Sequence, residues 1–478
     1  MGRSAPVVEQ TTDPGPNLHR VLGTRDLVLL NIAAIVGLRW LSTAAQIGPS
    51  SLTLWALALI IYFVPVALTV LELSARLPGE GGLYLWTKAA FGDAHGFIAG
   101  WSYWVSNLVF LPSALLFGAG VLLYTGGTRW LPMAESATYN GACCLAVLWF
   151  ATLLNISGLE RAKWMQNAGG IATWSAAVLV LAGGGIACYQ FGAATTIAPA
   201  TLIPDLGSMA SLTTLATIAL AYTGLEMGPI LGGEIKQPRK TIPRAILVSC
   251  VVIAAIYITG TAALLVALPA EQIHIIAGIP QALAAIGDRL GVPVFGPLTA
   301  VLVAFGSFGA IGAWITGTAR LPFVIGVDRY LPKALSALHP KHGTPHIALL
   351  TQALITTLVL LAALSGSTIH EAFVILLDMT IILGFLPLLY MFAALPVLRR
   401  RAAGTNDDMA LVPGGAFTCW LASGLGFATT LLAIVTSMVP PADSTDPTLF
   451  FIKVIGGSVL LVGTGLGFYV RGSRTPKH

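Results

Sequence analysis

Residues 215–234 read LATIALAYTGLEMGPILGGE. The stretch is apolar and matches the roughly 20 residues that a membrane-spanning helix needs. Gly224 divides it, however, and a carboxylate, Glu226, follows two residues later. Residues 31–48, NIAAIVGLRWLSTAAQIG, repeat the combination with Gly37 and Arg39. Backbone groups freed inside a bilayer must be buried in protein or line a cavity. Interrupted helices at corresponding places in two halves of a chain point to the central site of a transporter, where half-helix N-termini suit a carboxylate and exposed carbonyls suit an ammonium. Glycines that merely allow close helix packing are the alternative. That explains each glycine alone, but not the charge beside both.

The rest of the chain agrees with a membrane setting. Its 478 residues are 56% hydrophobic and 9% charged, against about a quarter charged in soluble domains. Twelve candidate spans lie near 27–48, 52–75, 97–124, 140–156, 164–188, 209–233, 244–267, 292–320, 346–364, 369–397, 414–438 and 449–470. With the N-terminus in the cytoplasm, only Arg129 and Arg289 of the 25 Lys and Arg residues face outside, while Arg39 and Lys453 lie within spans. This bias fixes both termini as cytoplasmic and makes the net charge of +5 topogenic, so no nucleic-acid partner is expected. The first 20 residues lack the apolar core of a signal peptide, and residues 1–25 read as a disordered tail. Cys143, Cys144, Cys188, Cys250 and Cys419 are expected as buried small hydrophobes.

Three longer segments carry a resemblance. AYTGLEMGPILGGEIKQPRKTIPRAI (221–246), ELSARLPGEGGLYLWTKAAFGDAHGFIAGW (72–101) and GVDRYLPKALSALHPKHGTPHIA (326–348) resemble, in order, the sixth span with its following loop, the loop between spans 2 and 3, and the loop between spans 8 and 9 of the amino acid–polyamine–organocation (APC) superfamily, amino acid permease type. The resemblance implies an all-α membrane protein of the LeuT-type fold with 12 transmembrane helices. Two inverted five-helix repeats, 26–190 and 191–398, would be followed by helices 11 and 12 and a cytoplasmic tail in 399–478. It also implies secondary active transport of amino acids across the cytoplasmic membrane by alternating access, coupled to protons or by exchange. Transport of a polyamine or other organic amine, held by Asp378 and Glu226, is the alternative. Span 1 departs from the pattern: relatives carry a run such as Gly-Ser-Gly, where this chain has Ala34-Ile35-Val36-Gly37-Leu38-Arg39.

The expected substrate site therefore comprises Ile35, Val36, Gly37, Leu38 and Arg39 of span 1 and Tyr222, Thr223 and Gly224 of span 6. Asn107, Trp314 and Asp378 are carried over from substrate positions of arginine–agmatine-exchanger-like members. Asn107 offers both donors and an acceptor, for substrate or for a neighbouring helix. Trp314 can occlude the substrate or simply pack, whereas Trp101 and Trp104 read as interfacial belt residues. Glu226 is a candidate proton carrier, or a hydrogen-bonded brace for the broken helix. Arg39, which stays protonated, has three readings: a fork for a substrate carboxylate, a gate paired with Asp378, or a snorkelling cation.

Other features read as structural. The segment 269–291 is expected to cover the outer vestibule, and Glu72–Arg76 to form an i,i+4 pair. His339, His342 and His346 lie in a loop that matches the family pattern, which argues against a metal. Thr173, Ser175 and Ser307 are hydroxyls able to ligate sodium or to bond between helices. No lysine is expected inside span 5. The absence of HExxH or GxSxG patterns argues against an enzyme, and no cofactor or metal is expected. Partners are the bilayer, a small amino acid or amine, and H+ or Na+, with the chain a monomer or homodimer.

Overall fold

The computed structural model describes residues 22–473, apart from 80, 233–234, 275–277, 328–329, 365–368, 403–411 and 441–446. The tail expected to be disordered thus lies almost wholly outside the described residues. Among the described residues, ten continuous helices are long and apolar enough to cross a membrane: Ser50–Arg76 (span 2), Asp93–Gly127 (span 3), Ala137–Ile156 (span 4), Glu160–Phe191 (span 5), Pro238–Ala267 (span 7), Phe295–Ile325 (span 8), His346–Leu364 (span 9), Phe373–Arg401 (span 10), Gly415–Thr436 (span 11) and Ile452–Ser473 (span 12). The other two expected spans are each divided. Span 1 is Thr24–Ile35 followed by Arg39–Ala45, and span 6 is Met209–Ala221 followed by Met227–Ile230.

Burial orders these helices. The central window of span 3 is 78% buried, against 17% for span 12. Span 3 packs on spans 8 and 10, and span 8 on span 5. Spans 5 and 8 touch backbone to backbone: a Cβ built on Gly169 would stand 2.4 Å from the Cα of Gly309. Small residues permit this approach, as they do in membrane bundles generally.

Span 2 contains a π-turn, Leu59–Phe63, just before Pro65. Pro65 has no N–H to offer the Ile61 carbonyl four residues earlier, and that carbonyl accepts from Thr429 Oγ1 of span 11 at 3.3 Å. The same turn aims the Tyr62 hydroxyl at Thr223 Oγ1, 3.1 Å away in the break of span 6.

On the side of the chain's start, Leu22 pairs with Ile235, and the Lys236 N–H donates to the Leu22 carbonyl at 2.8 Å. Asp26 meets Lys163 at 2.6 Å, which puts a lysine in the first turn of span 5, not at its middle. Glu72 is fully buried and does more than pair with Arg76 at 3.0 Å. It also accepts from Arg399 at 3.2 Å and from the Val412 N–H at 3.1 Å, tying spans 2 and 10 to the segment entering span 11. In the segment expected to be a lid, a helix, Gly278–Leu290, packs on span 8, spans 5 and 7, and the second half of span 1. Gln46 of span 1 donates to the Ile273 carbonyl at 2.8 Å.

Several expectations need correction. Trp101 and Trp104 are buried, not interfacial: Trp101 Nε1 donates to the Leu461 carbonyl of span 12 and Trp104 Nε1 to Gln352 Oε1 of span 9. Of the cysteines, Cys144 and Cys419 are buried but Cys188 is exposed, because it lies on the outward face of span 5. The His339 and His342 rings are 4.7 Å apart; His339 Nδ1 accepts the N–H groups of Lys341 and His342. No group of three His, Cys, Asp or Glu side chains suited to a metal occurs among the described residues.

Candidate functional site

The two breaks meet at the centre of the bundle. Gly224 has φ +132°, a conformation that only glycine adopts without strain. A Cβ there would stand 2.7 Å from Ile35 Cγ1 in the other break. Glu226 is fully buried. Its Oε2 accepts the Gly224 N–H at 3.0 Å and its Oε1 accepts from the Tyr103 hydroxyl at 2.8 Å. Thr223 Oγ1 donates to the Ala219 carbonyl at 3.2 Å. The break of span 6 is thus closed largely by its own residues, with help from Tyr62 and Tyr103.

The break of span 1 is closed from outside. The Val36 N–H reaches the Ile32 carbonyl at 2.8 Å, and the Gly37 N–H reaches the Ile35 carbonyl at 2.7 Å. Trp314 Nε1 of span 8 donates to the Ala34 carbonyl at 2.9 Å. The Tyr257 hydroxyl of span 7 donates to the Ile35 carbonyl and accepts the Gly37 N–H at 3.2 Å; it also lies 3.0 Å from the Ala221 carbonyl of the other break.

Arg39 opens the second half of span 1 and is 5% exposed. Its Cζ lies 4.1 Å from the Trp40 ring centroid and 4.8 Å from that of Phe110, a cation–π arrangement. Among the described residues the guanidinium has no carboxylate within ion-pair distance and no hydrogen-bond acceptor. It faces a cavity lined by residues 34–40, Phe110, Thr173, Ser307 and Trp314, among others. A second cavity is lined by Tyr103, Asn107, Thr223, Thr380 and Phe385, together with Ala34, Ile35, Trp40, Phe110 and Trp314, which also line the first. Phe110 and Trp314, with ring centroids 5.2 Å apart, form the partition. Asn107 Nδ2 donates to the Tyr103 carbonyl at 2.7 Å, and its buried Oδ1 has no partner among the described residues.

The structure therefore gathers most of the expected set. Ile35, Val36, Gly37, Leu38, Arg39 and Trp314 line the first cavity, and Asn107 and Thr223 the second. Gly224 and Glu226 stand behind them. Two residues are turned away. Tyr222 is buried against Phe63, with ring centroids 4.4 Å apart. Asp378 lines neither cavity and is not paired with Arg39; it faces Ser437 beside span 11. Thr380 of the same helix lines the second cavity, and a two-residue offset is about 200° around a helix, so Asp378 lies on the opposite side. The expected gate is not formed here. Tyr103, Tyr257 and Phe110 are site residues that the sequence reading passed over. The available signal was a tyrosine hydroxyl at mid-span, which has to find a partner.

Comparison with known proteins follows the same lines. A family described as amino acid permease matches residues 22–460. An uncharacterized transporter of Legionella pneumophila is 28% identical over 93% of this chain and 95% of its own length. A glutamate/gamma-aminobutyrate antiporter of Lactococcus lactis is 24% identical, covering 80% of this chain and 77% of the relative. A probable agmatine/putrescine antiporter of the same species is 26% identical over 67% of each. Among solved structures, MhsT in complex with L-phenylalanine superposes with a TM-score of 0.64 at 13% identity, covering 88% of this chain and 99% of that one.

Proposed function

The chain belongs to the amino acid permease family and is a multi-pass transporter of the LeuT-type fold, and from that premise we propose that it exchanges α-amino acids by alternating access, with the substrate carboxylate on Arg39. The observation that carries this reading is the guanidinium facing a cavity with no acidic partner among the described residues. A charge held this way gains a bidentate, charge-assisted contact when a carboxylate arrives, and it opposes a diamine. The relatives named as antiporters divide on this point: glutamate and gamma-aminobutyrate carry carboxylates, whereas agmatine and putrescine do not. The unpaired Oδ1 of Asn107 in the adjoining cavity suits the substrate ammonium. Glu226, joined to that cavity through Tyr103, is the group through which a proton enters the cycle. The distribution of Lys and Arg supports cytoplasmic termini.

Counterflow into proteoliposomes tests this. Vesicles loaded with one unlabelled amino acid should take up labelled amino acid, and Arg39→Gln should remove that uptake. Exchange of putrescine or agmatine with none of any amino acid would refute the reading.

A further inference from the structure

Breaking a membrane helix frees carbonyl oxygens, and a bound cation is one general way to satisfy them. Here neutral donors from two other spans occupy them. The Tyr257 hydroxyl is fully buried between the carbonyl of Ile35 in one break and that of Ala221 in the other. One O–H thus faces two carbonyl oxygens, one from each broken helix, which are the ligands that a monovalent ion at paired breaks would take. The Gly37 N–H donates to the same oxygen and fixes its orientation. Trp55 lies flat against the Tyr257 ring, with centroids 4.4 Å apart and planes 15° apart, and is itself held by Thr261 at 2.9 Å. Trp314 Nε1 takes the Ala34 carbonyl. The hydroxyls of Thr173 and Ser307, two of the three that the sequence offers for sodium (Ser175 is the third), share a cavity with the Arg39 guanidinium, whose charge opposes a second cation there.

We propose that Tyr257 is a positioning residue that stands in for a metal cation: its hydroxyl joins the breaks of spans 1 and 6, so that neither folding nor exchange requires Na+ or K+. The exchange part rests on the function proposed above; the stability part does not. The test starts with the purified protein without substrate, melted in NaCl, KCl and N-methylglucamine chloride at equal ionic strength. The wild type should melt at one temperature in all three. Tyr257→Phe removes only the hydroxyl and should melt several degrees lower in N-methylglucamine, with part of the loss recovered in Na+ or K+ as the ion enters between the two carbonyls. Tyr222→Phe, whose hydroxyl lies 3.5 Å from the Trp55 carbonyl, should gain no such dependence. In counterflow, wild-type exchange should be equal in the three media, and Tyr257→Phe should be slower by about tenfold, least so in Na+ or K+. A wild type that needs Na+ to melt high or to exchange overturns the proposal. So does a Tyr257→Phe protein that behaves as wild type, or that loses stability equally in all media. If that variant does not fold, the wild-type arms still decide. Exchange of diamines alone, with cation-independent melting, would defeat the substrate reading and leave this one standing.

Discussion

The two broken helices solve one problem in opposite ways. Span 6 closes its break in part with its own side chains: Glu226 reaches back to the Gly224 N–H and Thr223 takes the Ala219 carbonyl, while Tyr103 braces Glu226 and Tyr257 takes the Ala221 carbonyl. Span 1 has no such residues. Its carbonyls are taken by Trp314 and Tyr257 from spans 8 and 7, and the charge at its break, Arg39, has no acidic partner among the described residues. A break held by other helices with an unspent charge is a place for something to bind. On the function proposed above, the Arg39 guanidinium offers a substrate carboxylate the donors that span 1, with Gly37 alone at its break, does not supply from a glycine-rich run.

Four substitutions would break or sharpen the contrast. The largest effect belongs to Arg39→Gln, which should lower amino acid exchange by about 100-fold, the usual scale for losing one member of a buried charge pair. Near-normal counterflow would show that span 1 does not anchor the carboxylate. Next comes Gly224→Ala, which combines an unfavourable φ with a 2.7 Å approach to Ile35. It should cost about 2–3 kcal/mol, read as a lowered melting temperature, because the sealed break has no room to adapt. Glu226→Gln keeps the shape but offers one acceptor oxygen where two are used. A loss of about 1–2 kcal/mol is expected, together with a flattened pH profile of exchange if the carboxylate carries the proton. Asp378→Asn should change exchange by roughly twofold or less, as Asp378 faces span 11. If it matched Arg39→Gln, the two residues would have to pair in another state of the cycle.

Much of this architecture was legible in the sequence because its signals are local. Twenty apolar residues make a span, and a glycine beside a charge marks a break; spans 1 and 6 are divided where Gly37 and Gly224 said they would be. What closes the breaks was not legible. Tyr257 lies 222 residues from Ile35, and Trp314 lies 280 from Ala34, and no spacing rule reaches that far. Trp314 was expected either to occlude the substrate or simply to pack, and its indole N–H caps the Ala34 carbonyl. Asp378 was placed in the site by similarity of position, but the helix phase of span 10 turns it outward. Trp101 and Trp104 suited the membrane interface by residue type, yet span 12 and span 9 cover them.

The π-turn in span 2 has a consequence for how this sequence tolerates change. Deleting one residue within Leu59–Phe63 would restore regular α-helical winding and, for an isolated helix, improve it. It would also rotate everything on one side of the deletion by about 100°. Tyr62 would swing away from Thr223, and Ile61 would withdraw its carbonyl from Thr429. The better helix would make the poorer transporter, and a length polymorphism confined to this turn should be less tolerated than one anywhere in the connecting loops.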